Sequence, residues 1–228
     1  MLAVLTTLLL FLLLFGPQVW IRHVMQRYNT PIAEIPGTGG ELARHLLNRF
    51  ELNDVGVEAT APGNDHYDPK TRTVRLSPDY FTGKSLTSMV ITAHEVGHAL
   101  QHKMHYQPLY LRWKLALMAA VAEKIASFVL VIFPLVAVLV RLPAVGLLMF
   151  IAGITILILP VIVHLITLPV EWDASFHRAL PILIQGDYIP SSAIPIARQI
   201  LMAAAFTYVA ASLASLLNIY RWIAFLRR

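Results

Sequence analysis

The chain is expected to fold as a mainly α, multi-pass helical membrane protein with four transmembrane spans and one small α+β region at the membrane surface. Three observations predict this. Apolar residues make up 57% of the 228 positions and charged residues only 14%, against about 25% charged in an ordinary soluble domain. Four apolar stretches each reach the ~20 residues that a bilayer crossing needs. The charges are gathered rather than scattered: block 22–114 holds 11 of the 18 Lys and Arg and nine of the 13 Asp and Glu.

The first span covers 1–21, interrupted only by Gly16-Pro17 and Gln18. With no Lys or Arg before the apolar run and no small-x-small cleavage site, it reads as an uncleaved anchor rather than a signal peptide. Residues 22–114 form the water-facing region. There Leu42, Leu46, Leu47 and Phe50 fall on one helical face after Gly37-Thr38-Gly39-Gly40. Asn64 to Pro69 has turn chemistry, and Thr71 to Ser77 alternates like a strand. Gly83 to Thr87 opens a second helix, with Ser85 or Thr87 as its cap. The second span is 115–140 and the third 144–168, joined by a tight turn at Arg141-Leu142-Pro143. Segment 169–199 is polar again. Residues 200–228 hold the fourth span, Ile200 to Ile219, and a basic C-terminus.

In such a chain the net charge of +5 and the pI near 9.6 set topology rather than attract nucleic acid; the bilayer is the expected partner. Near span ends, Arg22, Arg27, Arg112, Lys114, Arg178 and Arg198 lie on the side of the polar block, and Arg141, Arg221, Arg227 and Arg228 opposite. Six against four favours a cytoplasmic face for that block. The absence of Cys excludes disulfides, thiolate ligands and a thiol nucleophile.

The chemistry is concentrated in Ala93-His94-Glu95-Val96-Gly97-His98-Ala99-Leu100, a His-Glu-x-x-His pattern. A helix advances about 100° per residue, so His94 and His98 stand one above the other on one face and can meet a single metal ion. Zinc there would lower the pKa of a bound water to roughly 7, and Glu95 on the flank would take its proton. The flanks, Met89 to Ala93 and Ala99-Leu100, are apolar enough for a buried helix. Buried His and Glu need partners, and a metal partners all of them. Gly97 is a poor helix former, costing about 1 kcal/mol against Ala, unless something packs closely upon it.

A catalytic zinc ordinarily takes three protein ligands and leaves one position open. His102 is too far from His94 along the axis, ~12 Å, to share an ion with it, and reads with His105 as second shell or a solvated helix end. The carboxylates of Val170-Glu171-Trp172-Asp173-Ala174-Ser175 are better placed. Spans two and three form a hairpin, which returns position 171 to the side of His94 and His98. Glu171 and Asp173 lie about 200° apart on a helix, so both cannot face one ion. Geometry leaves them as alternatives, with Glu171 preferred.

The metal motif, the upstream Asp65-His66-Tyr67-Asp68-Pro69 and the downstream Val170 to Ser175 together resemble the neutral zinc metallopeptidases of bacterial membranes, the YugP-like family. The likeness covers nearly the whole chain. More distantly the chain is similar to HtpX-type and prenyl-protein membrane endopeptidases, in which Glu-x-x-Ala-Asp supplies the third ligand. Here Glu171-x-x-Ala174 is followed by Ser175, so the resemblance supports Glu171 and leaves the orienting role of the Asp open, with Asp173 as its alternative. The implied protein is a membrane zinc endopeptidase with a zincin-like catalytic region, Zn2+ on His94, His98 and Glu171, Glu95 as base, and membrane-associated or misfolded proteins as substrates.

Within Asp65 to Pro69 the simplest role of an Asp is to cap a turn; His66 or Tyr67 is the candidate donor to an oxyanion. Strand 73–77 could offer an edge to an extended peptide. A rival of another class is a non-catalytic zinc-binding or zinc-handling membrane scaffold, in which Glu95 would be dispensable.

Overall fold

The computed structural model describes the backbone of residues 2–140 and 143–226. It describes side chains there except at 2–14, 130, 133–135, 137–140, 143, 156, 157 and 211–226. The turn expected at Arg141-Leu142 lies outside these residues. The chain is mainly helical with one small sheet. In order come α1 (Leu2–Arg27), α2 (Gly39–Arg49), β1 (Gly56–Ala59), β2 (His66–Asp68), β3 (Thr73–Leu76), α3 (Pro78–Phe81), α4 (Leu86–Lys103), α5 (Gln107–Val140) and α6 (Pro143–Trp172). A π-helical segment, Asp173–Ala179, α7 (Leu180–Gln185), a 3₁₀ turn and α8 (Ile194–Leu226) complete it.

α2 starts on a capping box: Thr38 accepts from Glu41 N–H, and the Glu41 side chain accepts from Thr38 N–H. Its apolar face, Leu42, Ala43, Leu46 and Leu47, packs into the core that surrounds α4. α4 is buried from Leu86 to Gln101, polar residues included. Ser85 is its N-cap, accepting from Ser88 N–H at 3.0 Å. Thr87, the other cap candidate, instead donates to the Met25 carbonyl of α1 at 3.1 Å.

The sheet order is β1-β3-β2, with β1 parallel and β2 antiparallel to β3. This corrects one expectation. Residues 73–76 are the central strand, hydrogen-bonded on both sides, and have no free edge for a peptide. Thr73, Val74 and Leu76 are buried, so an apolar, β-branched segment took the position where both of its edges are paired. The edge strand beside α4 is β2.

Among the described residues two stretches are long and apolar enough to cross a membrane, Ala144–Gln185 and Ser191–Ala210, whose most apolar 18-residue windows have mean hydropathies of 2.8 and 1.4. They contain the third expected span and the start of the fourth. The first and second expected spans lie in α1 and α5, which run partly over residues whose side chains are not described. On α5 and α6 large apolar groups such as Leu117, Ile125, Phe128, Leu147, Phe150 and Leu165 face outward, a pattern suited to lipid rather than water.

Candidate metal centre

α4 and the end of α6 build the site. His94 and His98, one turn apart, bring their rings to a centroid separation of 4.8 Å. Glu171 meets both from α6: its Oε2 is 3.2 Å from His94 Nε2 and 3.4 Å from His98 Nε2. All three are buried. Two ligands of a tetrahedral zinc, each ~2.05 Å from the ion, stand about 3.3 Å apart. The two His–Glu distances match that spacing and all three donor atoms lie within 4.8 Å of one another, so the donor set fits zinc.

The far sides of the ligands are fixed as firmly as the near ones. His94 Nδ1 lies 3.1 Å from Ser175 Oγ. His98 Nδ1 meets Gln101 Oε1 at 2.9 Å. The amide of Gln101 cannot turn over, because its Nε2 donates to the Val170 carbonyl and to Asp173 Oδ2, both at 2.8 Å. This makes Gln101 Oε1 an acceptor, so His98 carries its proton on Nδ1 and presents the Nε2 lone pair to the centre. Arg178 Nε in turn donates to Asp173 at 2.7 Å. Arg112 Nη1 donates to Glu171 Oε1 at 2.8 Å, holding the second carboxylate oxygen away from the histidines.

Gly97 explains why α4 accepts a poor helix former. A Cβ there would stand 2.9 Å from the Ala174 carbonyl oxygen, so the bare backbone lets the π-helical segment lie directly on the metal helix. A π turn adds a residue to the helical path and is found most often at functional sites. Here it begins directly after the end of α6 that carries Glu171 and holds Ser175 against His94 of α4. Gly97→Ala is expected to force the two helices apart at a cost of about 1–3 kcal/mol and to weaken zinc affinity, measured by competition with a chromogenic chelator.

Glu95 is buried on the flank of the pair, in one cleft with His94, His98, Glu171, Arg112 and Tyr208. Burial pushes its carboxyl up from 4.5 to about 7, while the neighbouring His94 and a hydrogen bond from the Tyr67 backbone N–H pull the other way. A carboxyl near neutrality suits proton transfer at physiological pH. A raised folded-state pKa stabilises the fold below 4.5, and that contribution is lost as pH rises from 4.5 through about 7. At about 1.36 kcal/mol per unit, the loss amounts to roughly 3 kcal/mol. In chelated protein Glu95→Gln should therefore gain on the parent as pH rises from 5 to 8 and stay level beyond, by denaturation in detergent with EDTA.

The remaining candidates fall into two groups. Asp173 does not face the centre; it reaches His98 through Gln101. The orienting position left open by Ser175 is filled by Ser175 itself, which contacts His94. His66 borders the cleft with its Nδ1 on the Asn64 carbonyl at 2.8 Å. The Tyr67 hydroxyl meets His102 Nδ1 at 2.8 Å, and His102 packs with Tyr110 and Trp113. Tyr67 and His102 also line a separate cavity of about 280 Å³, with Asp54 and Arg72. Asp68 is the turn-capping carboxylate, accepting from Lys70 N–H at 2.9 Å, whereas Asp65 reaches along the chain to Ser77, its Oδ1 accepting from Ser77 N–H at 2.6 Å and Ser77 O–H at 2.9 Å.

Sequence reasoning missed Gln101, Ser175 and Tyr208, and used Arg112 only as a topology marker. Gln101 carried a signal, an amide three residues beyond His98 on the same face of a helix expected to be buried. Tyr208 carried a weaker one, a hydroxyl in a long apolar run.

A helical hairpin that delivers a carboxylate onto a buried His-Glu-x-x-His helix defines a zinc-peptidase architecture. The chain belongs to the family described as "Putative neutral zinc metallopeptidase", whose model matches residues 3–227. It is also 36% identical over 210 residues to the "Putative membrane protease YugP" of Bacillus subtilis (strain 168), covering 92% of this chain and 89% of that protein. No solved structure matches the chain.

Proposed function

We propose that the protein is a four-span membrane zinc endopeptidase that hydrolyses peptide bonds of membrane-associated or misfolded proteins, with its cleft on the cytoplasmic side. The observation that carries this reading is the buried His94, His98 and Glu171 cluster with Glu95 beside it in one cleft. The family supports the reaction class. The outward apolar faces of α5 and α6 support the membrane, and the six-to-four distribution of Lys and Arg supports the orientation.

In this reading His94 Nε2, His98 Nε2 and Glu171 hold zinc. Bound there, zinc supplies a Lewis acid that polarises the carbonyl and acidifies water. Glu95 takes a proton from the attacking water as the new carbon–oxygen bond forms. It passes that proton to the amide nitrogen as the carbon–nitrogen bond breaks, leaving a carboxylic acid and an amine. Ser175 and Gln101 keep the imidazoles aimed inward throughout.

The test is to purify the protein in detergent, measure zinc per chain and assay β-casein. One zinc per chain, with hydrolysis lost to a chelator and restored by zinc, is expected. Protein that binds no zinc, or binds it and leaves casein intact, would sink the endopeptidase reading, and the latter outcome would favour a zinc-binding scaffold.

A further inference from the structure

When water adds to a peptide carbonyl, the oxygen gains a negative charge, and stabilising that charge is commonly the largest catalytic contribution of a hydrolase. A donor is therefore needed in the cleft. Side chains with N–H or O–H groups that border it are His66, Tyr67, Arg112, Trp113 and Tyr208, besides the ligands. Three are turned to other work: the Tyr67 hydroxyl is joined to His102, the His66 Nδ1 to the Asn64 carbonyl, and the Trp113 ring packs edge-on against His102 and Tyr110.

Arg112 and Tyr208 differ. They come from α5 and α8 and converge on the metal cluster. Arg112 Nη1 donates to Glu171 Oε1 at 2.8 Å, and Nη2 donates to the Tyr208 hydroxyl at 3.2 Å. The guanidinium carbon also lies 5.3 Å from the Tyr208 ring centroid. One planar fork thus holds a carboxylate ligand with one arm and a phenol with the other, a geometry that Lys cannot reproduce.

Resting on the peptidase reading, we propose that Tyr208 is the oxyanion donor of the cleft and that Arg112 is the residue that positions it. A phenol whose oxygen accepts from a guanidinium has a more polarised O–H and is the better donor for it. The carboxylate nearest to this pair is Glu171, held by the other arm of the same guanidinium. A hydroxyl hydrogen moves to the stronger acceptor, and a developing oxyanion outcompetes a carboxylate already held by Arg112. No proton needs to leave Tyr208, since the hydrogen bond strengthens as charge builds on the carbonyl oxygen and relaxes when the carbon–nitrogen bond breaks. Because the donor stands on α8 and its support at the head of α5, the scissile bond is brought against the membrane helices rather than towards the sheet.

The experiment compares wild type, Tyr208→Phe and Arg112→Lys as zinc-loaded full-length protein. Its readouts are zinc per chain, kcat and KM on β-casein, and calorimetric affinity for a phosphonamidate peptide copied from a casein cleavage site. The amide peptide of the same sequence is titrated into Glu95→Gln and into Glu95→Gln/Tyr208→Phe. Tyr208→Phe is expected to keep one zinc and its KM, to lose about 10²–10³-fold in kcat, and to lose a similar factor for the phosphonamidate but none for the amide peptide. Arg112→Lys should bind zinc about 10–100-fold more weakly through Glu171, remain at one zinc per chain when zinc-loaded, and show the same selective loss. Tyr208→Phe with unchanged kcat, with a raised KM alone, or with lost zinc would each overturn the assignment. A wild type that neither cleaves casein nor binds zinc would overturn the peptidase reading itself.

Discussion

Glu95→Gln is expected to abolish hydrolysis while leaving the metal in place. The substitution keeps the size of the side chain but removes the group that accepts and returns the proton, and such groups contribute roughly 10²–10⁴-fold to rate. Glu95 is not one of the three clustered donors that would hold zinc, so zinc per chain should stay at one, and KM on β-casein should move little. The measurement is kcat beside metal content on the same preparation. Activity within a few-fold of wild type would mean that Glu95 is not the base, and would return the chain to the scaffold reading in which it is dispensable.

Glu171→Ala should act on the opposite quantity. It removes one of three donors and leaves the Arg112 guanidinium facing the centre without its carboxylate. Changes that only disturb the support of a ligand cost about 10–100-fold in metal affinity, and loss of the ligand itself should exceed that. Breaking a buried ion pair from one side costs about 3–5 kcal/mol, a figure to be discounted because the Arg112 side chain is 23% exposed. Zinc loss together with lower thermal stability is the expected result. Glu171→Gln separates the two effects: it can still accept from Arg112 and so should recover part of the stability while still binding zinc weakly. Full zinc occupancy in Glu171→Ala would show that the ligand set is wrong.

Much of this site could be read along the chain because its first half is local. A spacing of four on a helix places His94 and His98 together whatever the rest of the molecule does, and the apolar flanks already implied that α4 is buried. Gly97 announced a close approach before its partner was known, since a bare backbone inside a buried helix needs a reason. The third position was legible only through topology, by folding spans two and three into a hairpin, and even then the choice between Glu171 and Asp173 rested on preference and resemblance.

The unread parts are non-local. Ser175 looked like a gap where an Asp was expected, yet it contacts His94 because the helix widens into a π turn at Asp173, a backbone change that periodicity does not reveal. The value of Gln101 lies in contacts made 69 and 72 residues away. The strand at 73–76 was sensed correctly as a strand, but alternation cannot say whether a strand is central or at an edge. That depends on which partners arrive on each side.

By itself the sequence determined the helical, apolar character of this protein, the placing of His94, Glu95 and His98 on one helix, and the donor chemistry of a Cys-free metal site. Local periodicity and side-chain chemistry are sufficient for each of these. Tertiary structure alone decided which carboxylate closes the site, how the imidazoles are oriented, and that Arg112 and Tyr208 stand beside them. Those facts are distances between segments 59 to 96 residues apart, set by how long helices cross and pack, and no pattern within a single helix contains them.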